Sequence, residues 1–294
     1  MGSLPSNAKF YKPEGEVKGA IQIVHGMCEH QKRYEDFAAF LTSNGYAVVT
    51  SDLRGHGDNI QSEEDLGYFG DEMVKGLHDD VAAIGAFIKE EFPNVPYILL
   101  GHSMGTLVST SYYKSHDDEF DALILSGMPG DNGAKGIAKT LIKMIKGSKG
   151  WKYRSPFINN LCNGPFSKAF ASEGSDFAWL SVDKDNVKKY EEDPKCGFVF
   201  TLNGFYTLME LMCQTYDKKD WKKAKLSNPV FLLSGSDDPC MGTHENFAKS
   251  VQMFKDRGYN VKSELIDDQR HEIFNDTKKT ETMQKVVDFL NQSL

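Results

Sequence analysis

The amino-acid sequence predicts an α/β protein with a mostly parallel central sheet flanked by helices and an inserted cap. Three observations carry that expectation. Short apolar runs of strand character alternate with amphipathic helical stretches along most of the chain, the pattern left by strands joined through crossover helices. One such run, Tyr97-Ile98-Leu99-Leu100, leads straight into Gly101-His102-Ser103-Met104-Gly105, a G-x-S-x-G pattern of the kind found at a tight strand-to-helix turn. The alternation breaks over residues 128–202, which carry most of the irregular sequence. The expected division is therefore 1–127 and 203–294 for the sheet and its helices, and 128–202 for the cap.

Taken in order, residues 9–18 read as an edge strand and turn, and Ala20-Ile21-Gln22-Ile23-Val24 as a buried strand ending in His25-Gly26-Met27-Cys28-Glu29-His30. Residues 33–41 form a helix with Phe37, Phe40 and Leu41 on one face, closed by Gly45. Tyr46-Ala47-Val48-Val49-Thr50 is the next strand, followed by Asp52-Leu53-Arg54-Gly55-His56-Gly57 and an acidic, glycine-containing loop over 63–71. A helix over 74–92 ends near Pro93 and Pro96, since a residue before proline is pushed out of helical conformation. After the Ser103 turn come a helix from 106 and the strand Ala122-Leu123-Ile124-Leu125. Beyond the cap, residues 203–216 return as a helix, and Pro229-Val230-Phe231-Leu232-Leu233 is a strand ending in Ser234-Gly235-Ser236-Asp237-Asp238-Pro239. A helix over 244–257, a strand over 261–266 and a closing helix over 280–290 complete the chain.

Composition narrows the setting. The chain has 294 residues, 40% hydrophobic and 26% charged, with a mean hydropathy of -0.46, ordinary for a globular protein with a substantial core. No apolar run reaches the length of a membrane span, and residues 1–13 lack the basic and apolar regions of a signal peptide. Met1-Gly2-Ser3-Leu4-Pro5-Ser6 fits a short myristoylation pattern, which is too loose to carry a conclusion. Five cysteines without C-x-x-C spacing argue against a disulfide framework or a zinc site and point to the reducing cytoplasm. A net charge of -8 disfavours nucleic acid as a partner.

A serine on a sharp turn is either a helix cap or a nucleophile, and the difference lies in what else the fold brings to it. Activation needs a base and a group that orients the base, gathered beyond the carboxyl ends of the strands. In the chain order serine, acid, histidine, two places qualify. Asp238 follows the strand ending at Leu233, and His271 follows the strand ending at Ile266. Asp238 is preferred to Asp237 because Pro239 stiffens its turn, and Asp131 is the fallback acid. His102 is expected to point away from Ser103. The oxyanion of a tetrahedral intermediate needs backbone donors, here assigned to the N–H of Met104, after the serine, and of Met27, in the loop after an earlier strand.

Together, His25-Gly26-Met27-Cys28-Glu29-His30 with Arg33-Tyr34, Asp52-Leu53-Arg54-Gly55-His56-Gly57, Gly101-His102-Ser103-Met104-Gly105 and Arg270-His271-Glu272 resemble the α/β-hydrolase fold, and within it the monoglyceride lipase and lysophospholipase group. The resemblance spans roughly residues 20–280. It implies a serine hydrolase of lipid carboxyl esters that works through an acyl-enzyme, with Ser103 as nucleophile, Asp238 as acid, His271 as base and Met27 and Met104 as oxyanion donors. Glu29, His30 and Arg33 would brace the oxyanion loop. No metal or organic cofactor is implied. The acid loop, Ser236-Asp237-Asp238-Pro239-Cys240, departs from the family's pattern and keeps Asp237 in contention. Rival readings are a thioesterase, a short-chain carboxylesterase or an aminopeptidase on the same scaffold, or a non-catalytic lipid sensor.

Within the cap, residues 135–154 hold seven basic residues and no acidic one. Ile137, Ala138, Leu141, Ile142 and Ile145 are expected on one helical face, with Lys135, Lys139, Lys143 and Lys146 opposite. Such a helix suits contact with an anionic membrane or micelle surface, and equally a helix packed on the sheet domain with its lysines solvated. The cap aromatics Trp151, Phe157, Phe166, Phe170, Phe177 and Trp179 favour a hydrophobic tail as substrate.

Overall fold

The computed structural model describes residues 4–131 and 133–294, so Met1, Gly2 and Ser3 of the myristoylation-like pattern lie outside the described residues. The elements are β1 (Ala8–Tyr11), β2 (Gly19–Val24), α1 (Glu35–Ser43), β3 (Tyr46–Ser51), α2 (Met73–Glu91), β4 (Tyr97–His102), α3 (Met104–His116), β5 (Ala122–Ser126), α4 (Lys135–Lys149), α5 (Pro156–Ala169), α6 (Lys184–Glu192), α7 (Leu202–Tyr216), β6 (Pro229–Gly235), α8 (His244–Lys255), β7 (Asn260–Ile266) and α9 (Lys279–Ser293). The strands form one sheet in the order β1-β3-β2-β4-β5-β6-β7. All neighbours are parallel except β1, which runs antiparallel to β3 with Ala8 opposite Ser51.

Strands β2 to β6 are buried along their whole length, because helices cover both faces. Successive side chains point to opposite faces. Thus Ile21, Ile23, Ile98, Leu100, Ile124, Phe231 and Leu233 pack with Phe37 and Leu41 of α1 and Val286 and Leu290 of α9. Their neighbours Val24, Leu99, Leu123, Leu125 and Leu232 pack with Leu77 and Val81 of α2, Leu107 of α3, Phe205 of α7 and Phe254 of α8. Each such side chain contributes about 1.5–3 kcal/mol on burial, so these two rows hold the sheet between its layers.

Most expected elements have their counterparts, with shifts at the ends. The first strand stops at Tyr11, two residues before Pro13, which has no N–H to donate to a ladder. Helix α3 starts at Met104, two residues earlier than expected, directly after the turn. That close coupling depends on Gly105, where a Cβ would stand 2.1 Å from the carbonyl oxygen of Val24, so α3 lies hard against β2.

Residues 128–202 contribute helices α4, α5 and α6 and, among the described residues, no strand to the sheet. Of the apolar face expected on α4, Ala138, Leu141, Ile142 and Ile145 do pack against the core, whereas Ile137 does not, and the place of Lys135 and Lys139 on the opposite face is corrected. Lys139 pairs with Glu210 of α7 and lies 5.4 Å from the centre of the Tyr206 ring, while Lys135 pairs with Asp131 and sits 5.7 Å from Tyr216. Lysine stems cover apolar surface while their ammonium groups reach acids and ring faces, so these lysines line the packed side. Ala138 and Ile142 are buried beside them, whereas Ile137 and Met144 are each 70% exposed.

Candidate active site

The chemistry gathers at the carboxyl ends of β2, β4, β6 and β7. Ser103 follows β4 with φ 52° and ψ -120°, outside the regions open to most L-residues. Strain of this kind persists only where the surroundings hold it. Its Oγ makes no capping bond to α3 and instead lies 2.7 Å from His271 Nε2. The helix-cap reading of this serine therefore fails. The Ser103 N–H donates to the Ser126 carbonyl of β5 at 2.9 Å, which ties the turn to the neighbouring strand.

His271 reaches Ser103 because the loop after β7 crosses the end of β6. At Gly235 a Cβ would lie 2.1 Å from the carbonyl oxygens of both Gln269 and Arg270, an approach open only to glycine. His271 Nδ1 then meets Asp238 Oδ2 at 2.9 Å. The same oxygen accepts from Ser234 Oγ at 2.9 Å, and Oδ1 accepts from the Cys240 N–H at 2.8 Å. Asp237 is exposed and its carboxylate accepts from the Ser236 hydroxyl, while Asp131 is tied to Lys135 and the Gly133 N–H. The histidine is bonded to Asp238 rather than to either of these.

Burial disfavours charge on both members of the buried pair, but each offsets that for the other. Burial opposes ionisation of Asp238, and the His271 imidazole with the bonds from Cys240 and Ser234 outweighs it, leaving its pKa below the ordinary carboxylate value. Burial likewise opposes the imidazolium, and Asp238 outweighs it, so the pKa of His271 sits above its ordinary value. The His102 ring meets neighbours other than Ser103: its centre is 4.8 Å from that of His271, and Nδ1 lies 3.3 Å from Ser126 Oγ. Burial and the charge of His271 bring His102 down to about 4, so it is neutral beside the pair.

Met104 is the first residue of α3, so its N–H has no acceptor within the helix and sits at the positive end of the helix dipole. Met27 lies in the loop after β2. That loop approaches the serine closely, since a Cβ on Gly26 would be 3.0 Å from Ser103 Cβ. Glu29 shapes it by accepting from the Gly26 N–H at 2.5 Å and from Tyr34 Oη at 2.7 Å, with Arg33 Nε 3.3 Å away. Arg33 continues to Glu272, the residue after His271, and to Asn186 of α6 at 3.2 Å. His30 bonds Asp193 at 2.9 Å.

Sequence reasoning missed several neighbours. Trp179 lies with its ring centre 5.0 Å from His271. Arg270 donates to the carbonyls of Ala178 and Ser181 and pairs with Glu173, and the Glu272 N–H donates to the Leu180 carbonyl at 2.8 Å. The residues on both sides of His271 are thus bonded to residues 173–181. Only the charges flanking His271 hinted at this, and their partners are about 90 residues away. The Cys240 thiol lies beside Ser103, and burial together with Asp238 pushes its pKa well up.

Among the described residues, two groups bring potential metal donors together, His30 with Asp193 and Cys196, and Asp238 with Cys240 and His271. In each the imidazole is already committed to the aspartate. What the second arrangement offers chemically is a hydroxyl, an imidazole to take its proton and a buried carboxylate to hold the imidazole.

The family described as serine aminopeptidase, S33, matches residues 15–278. Human monoglyceride lipase is 26% identical over 241 residues, covering 78% of this chain and 68% of that protein. The monoacylglycerol lipase of Mycolicibacterium smegmatis is 26% identical over 184 residues, covering 63% of this chain, and the match spans only 58% of that relative's length. Among solved structures, a thermostable carboxyl esterase from Bacillus coagulans in complex with glycerol superposes with a TM-score of 0.90 at 25% identity, covering 97% of this chain and 93% of the esterase.

Proposed function

The chain belongs to the serine aminopeptidase S33 family and has the α/β-hydrolase fold, and from that premise we propose that it is a serine hydrolase of carboxylic esters, acting on lipids of the monoacylglycerol or lysophospholipid type. The observation that carries the reading is the continuous chain from Ser103 Oγ to His271 at 2.7 Å and from His271 to Asp238 at 2.9 Å. Ser103 attacks the ester carbonyl as His271 Nε2 takes its proton. Asp238 holds the ring with Nδ1 protonated and stabilises the imidazolium. The N–H groups of Met27 and Met104 receive the developing oxyanion. His271 then returns the proton to the leaving alcohol, and water releases the fatty acid from the acyl-enzyme by the same steps in reverse roles. Glu29, His30 and Arg33 brace the oxyanion loop.

Support for a lipid substrate comes from the similarity to monoglyceride lipases and from residues 128–202 acting as a cap. Ile137 and Met144 of α4 and Phe157 and Leu161 of α5 are all exposed large apolar residues, suited to a membrane or micelle surface, with Lys143 and Lys149 nearby for anionic headgroups. Among the described residues no helix is long and apolar enough to cross a membrane.

The test is hydrolysis of a p-nitrophenyl ester series from short to long acyl chains by the wild type and Ser103→Ala side by side. Long-chain turnover that vanishes in the variant is expected. Turnover restricted to short chains would replace the lipid reading by that of a general carboxylesterase. Equal inactivity of both folded proteins would favour a lipid sensor.

A further inference from the structure

The residue that follows the Met27 donor is Cys28, and it is held in the left-handed region at φ 55°, a conformation that glycine adopts freely and a side chain resists. Each polar group on this residue is engaged. Its N–H donates to His56 Nε2 at 3.4 Å and its thiol to the Phe198 carbonyl at 2.9 Å. Its carbonyl, which has two lone pairs, accepts from Tyr190 Oη at 2.8 Å and from the Gly197 N–H at 3.0 Å. Three of these four bonds come from residues 190–198. The loop that supplies Met27 is therefore gripped by a distant stretch of chain, from the region between β5 and α7.

We propose that Tyr190 is a positioning residue for the oxyanion hole: with the Gly197 N–H it locks the Cys28 peptide and so aims the Met27 N–H at the ester carbonyl. The proposal rests on the hydrolase reading above. Met27 is bracketed on both sides, by the Glu29 carboxylate on the Gly26 N–H and by the bonds to Cys28. Glu29 is part of the oxyanion loop itself, whereas Tyr190 belongs to α6. Its own ring is fixed, buried 4.9 Å from the Arg33 guanidinium and 5.0 Å from Phe177, so its hydroxyl has one direction in which to point. Phenylalanine keeps both ring contacts and removes only the donor. The geometry of the oxyanion hole is thus set in part by where α6 sits.

The experiment compares wild type with Tyr190→Phe in three measurements. Hydrolysis of a long-chain p-nitrophenyl ester is expected to lose about tenfold in kcat with KM within about twofold, since a small misdirection of one group in a preorganised site acts on the transition state. Affinity for a long-chain alkyl boronic acid, whose serine adduct places an oxygen in the oxyanion hole, should fall by a similar factor, while binding of the fatty acid product stays unchanged. Hydrogen exchange in peptides covering residues 26–31 should quicken. A merely structural role would lower the thermal midpoint and leave the ratio of boronate to fatty acid affinity as it was, which overturns the proposal. Unchanged kcat and unchanged exchange overturn it equally. If wild type hydrolyses no ester, the hydrolase reading falls, and exchange over 26–31 still decides whether Tyr190 holds the loop.

Discussion

Replacing Asp238 by asparagine tests the arrangement where its hydrogen bonds are most directional. In the wild type Oδ1 accepts from the Cys240 N–H at 2.8 Å, and Oδ2 faces both Ser234 Oγ and His271 Nδ1 at 2.9 Å. An asparagine must put its NH2 at one of these places. A backbone N–H cannot reverse, so an NH2 opposite Cys240 would set two donors against each other. The Ser234 hydroxyl can rotate to accept, so the NH2 settles toward His271. Nδ1 must then be the acceptor, the ring proton moves to Nε2, and Nε2 points a hydrogen at Ser103 instead of a lone pair. The base is held in the wrong tautomer. The same exchange in the triad of a serine protease lowers kcat about 10⁴-fold, and a loss of that order is expected here, equivalent to about 5.5 kcal/mol of transition-state stabilisation. Asp237→Asn, at an exposed position, should stay within about twofold. The assay is steady-state turnover of a p-nitrophenyl ester, with circular dichroism to establish folding. Activity of folded Asp238→Asn within tenfold of wild type, or a larger loss in Asp237→Asn, would refute the assignment.

Two further outcomes follow from the same geometry. Only neutral His271 accepts a proton, and although burial opposes its charge, Asp238 raises its pKa, so kcat/KM should climb with pH through a midpoint above the ordinary imidazole value of about 6.5. A pH profile from 5 to 9 checks this, and a midpoint at or below that value, or a flat profile, would remove histidine from the role of base. A bulky maleimide should abolish turnover in step with labelling of half-buried Cys240, while Cys28, buried with its thiol bonded to Phe198, stays unmodified. Because burial and Asp238 raise the Cys240 pKa, the reaction should be slow at neutral pH and faster in alkali. Mass spectrometry after labelling locates the adduct, and full turnover with Cys240 completely labelled would contradict its placement beside Ser103.

Local chemistry by itself determined the order of strands and helices and the expectation of a parallel sheet, because buried strands must be apolar throughout and helices must be apolar on one side. It also singled out Ser103 and His271, since a turn between glycines and a residue just past a strand are properties of a few consecutive residues. Only the tertiary structure shows that Asp238 and not Asp237 bonds His271, because that depends on which side chain turns toward a histidine 33 residues away. The edge of the packed face of α4 shifted for a similar reason, with Lys135 and Lys139 joining Ala138, Leu141, Ile142 and Ile145 there while Ile137 left it. Periodicity separates lysine from isoleucine but knows nothing of Glu210 and Tyr206, which draw Lys139 inward and leave Ile137 in solvent. The contacts of Cys28 with Tyr190 and of His271 with Trp179 were equally invisible. They join segments far apart in the chain, and nothing in the local pattern of either segment encodes the partner that folding brings to it.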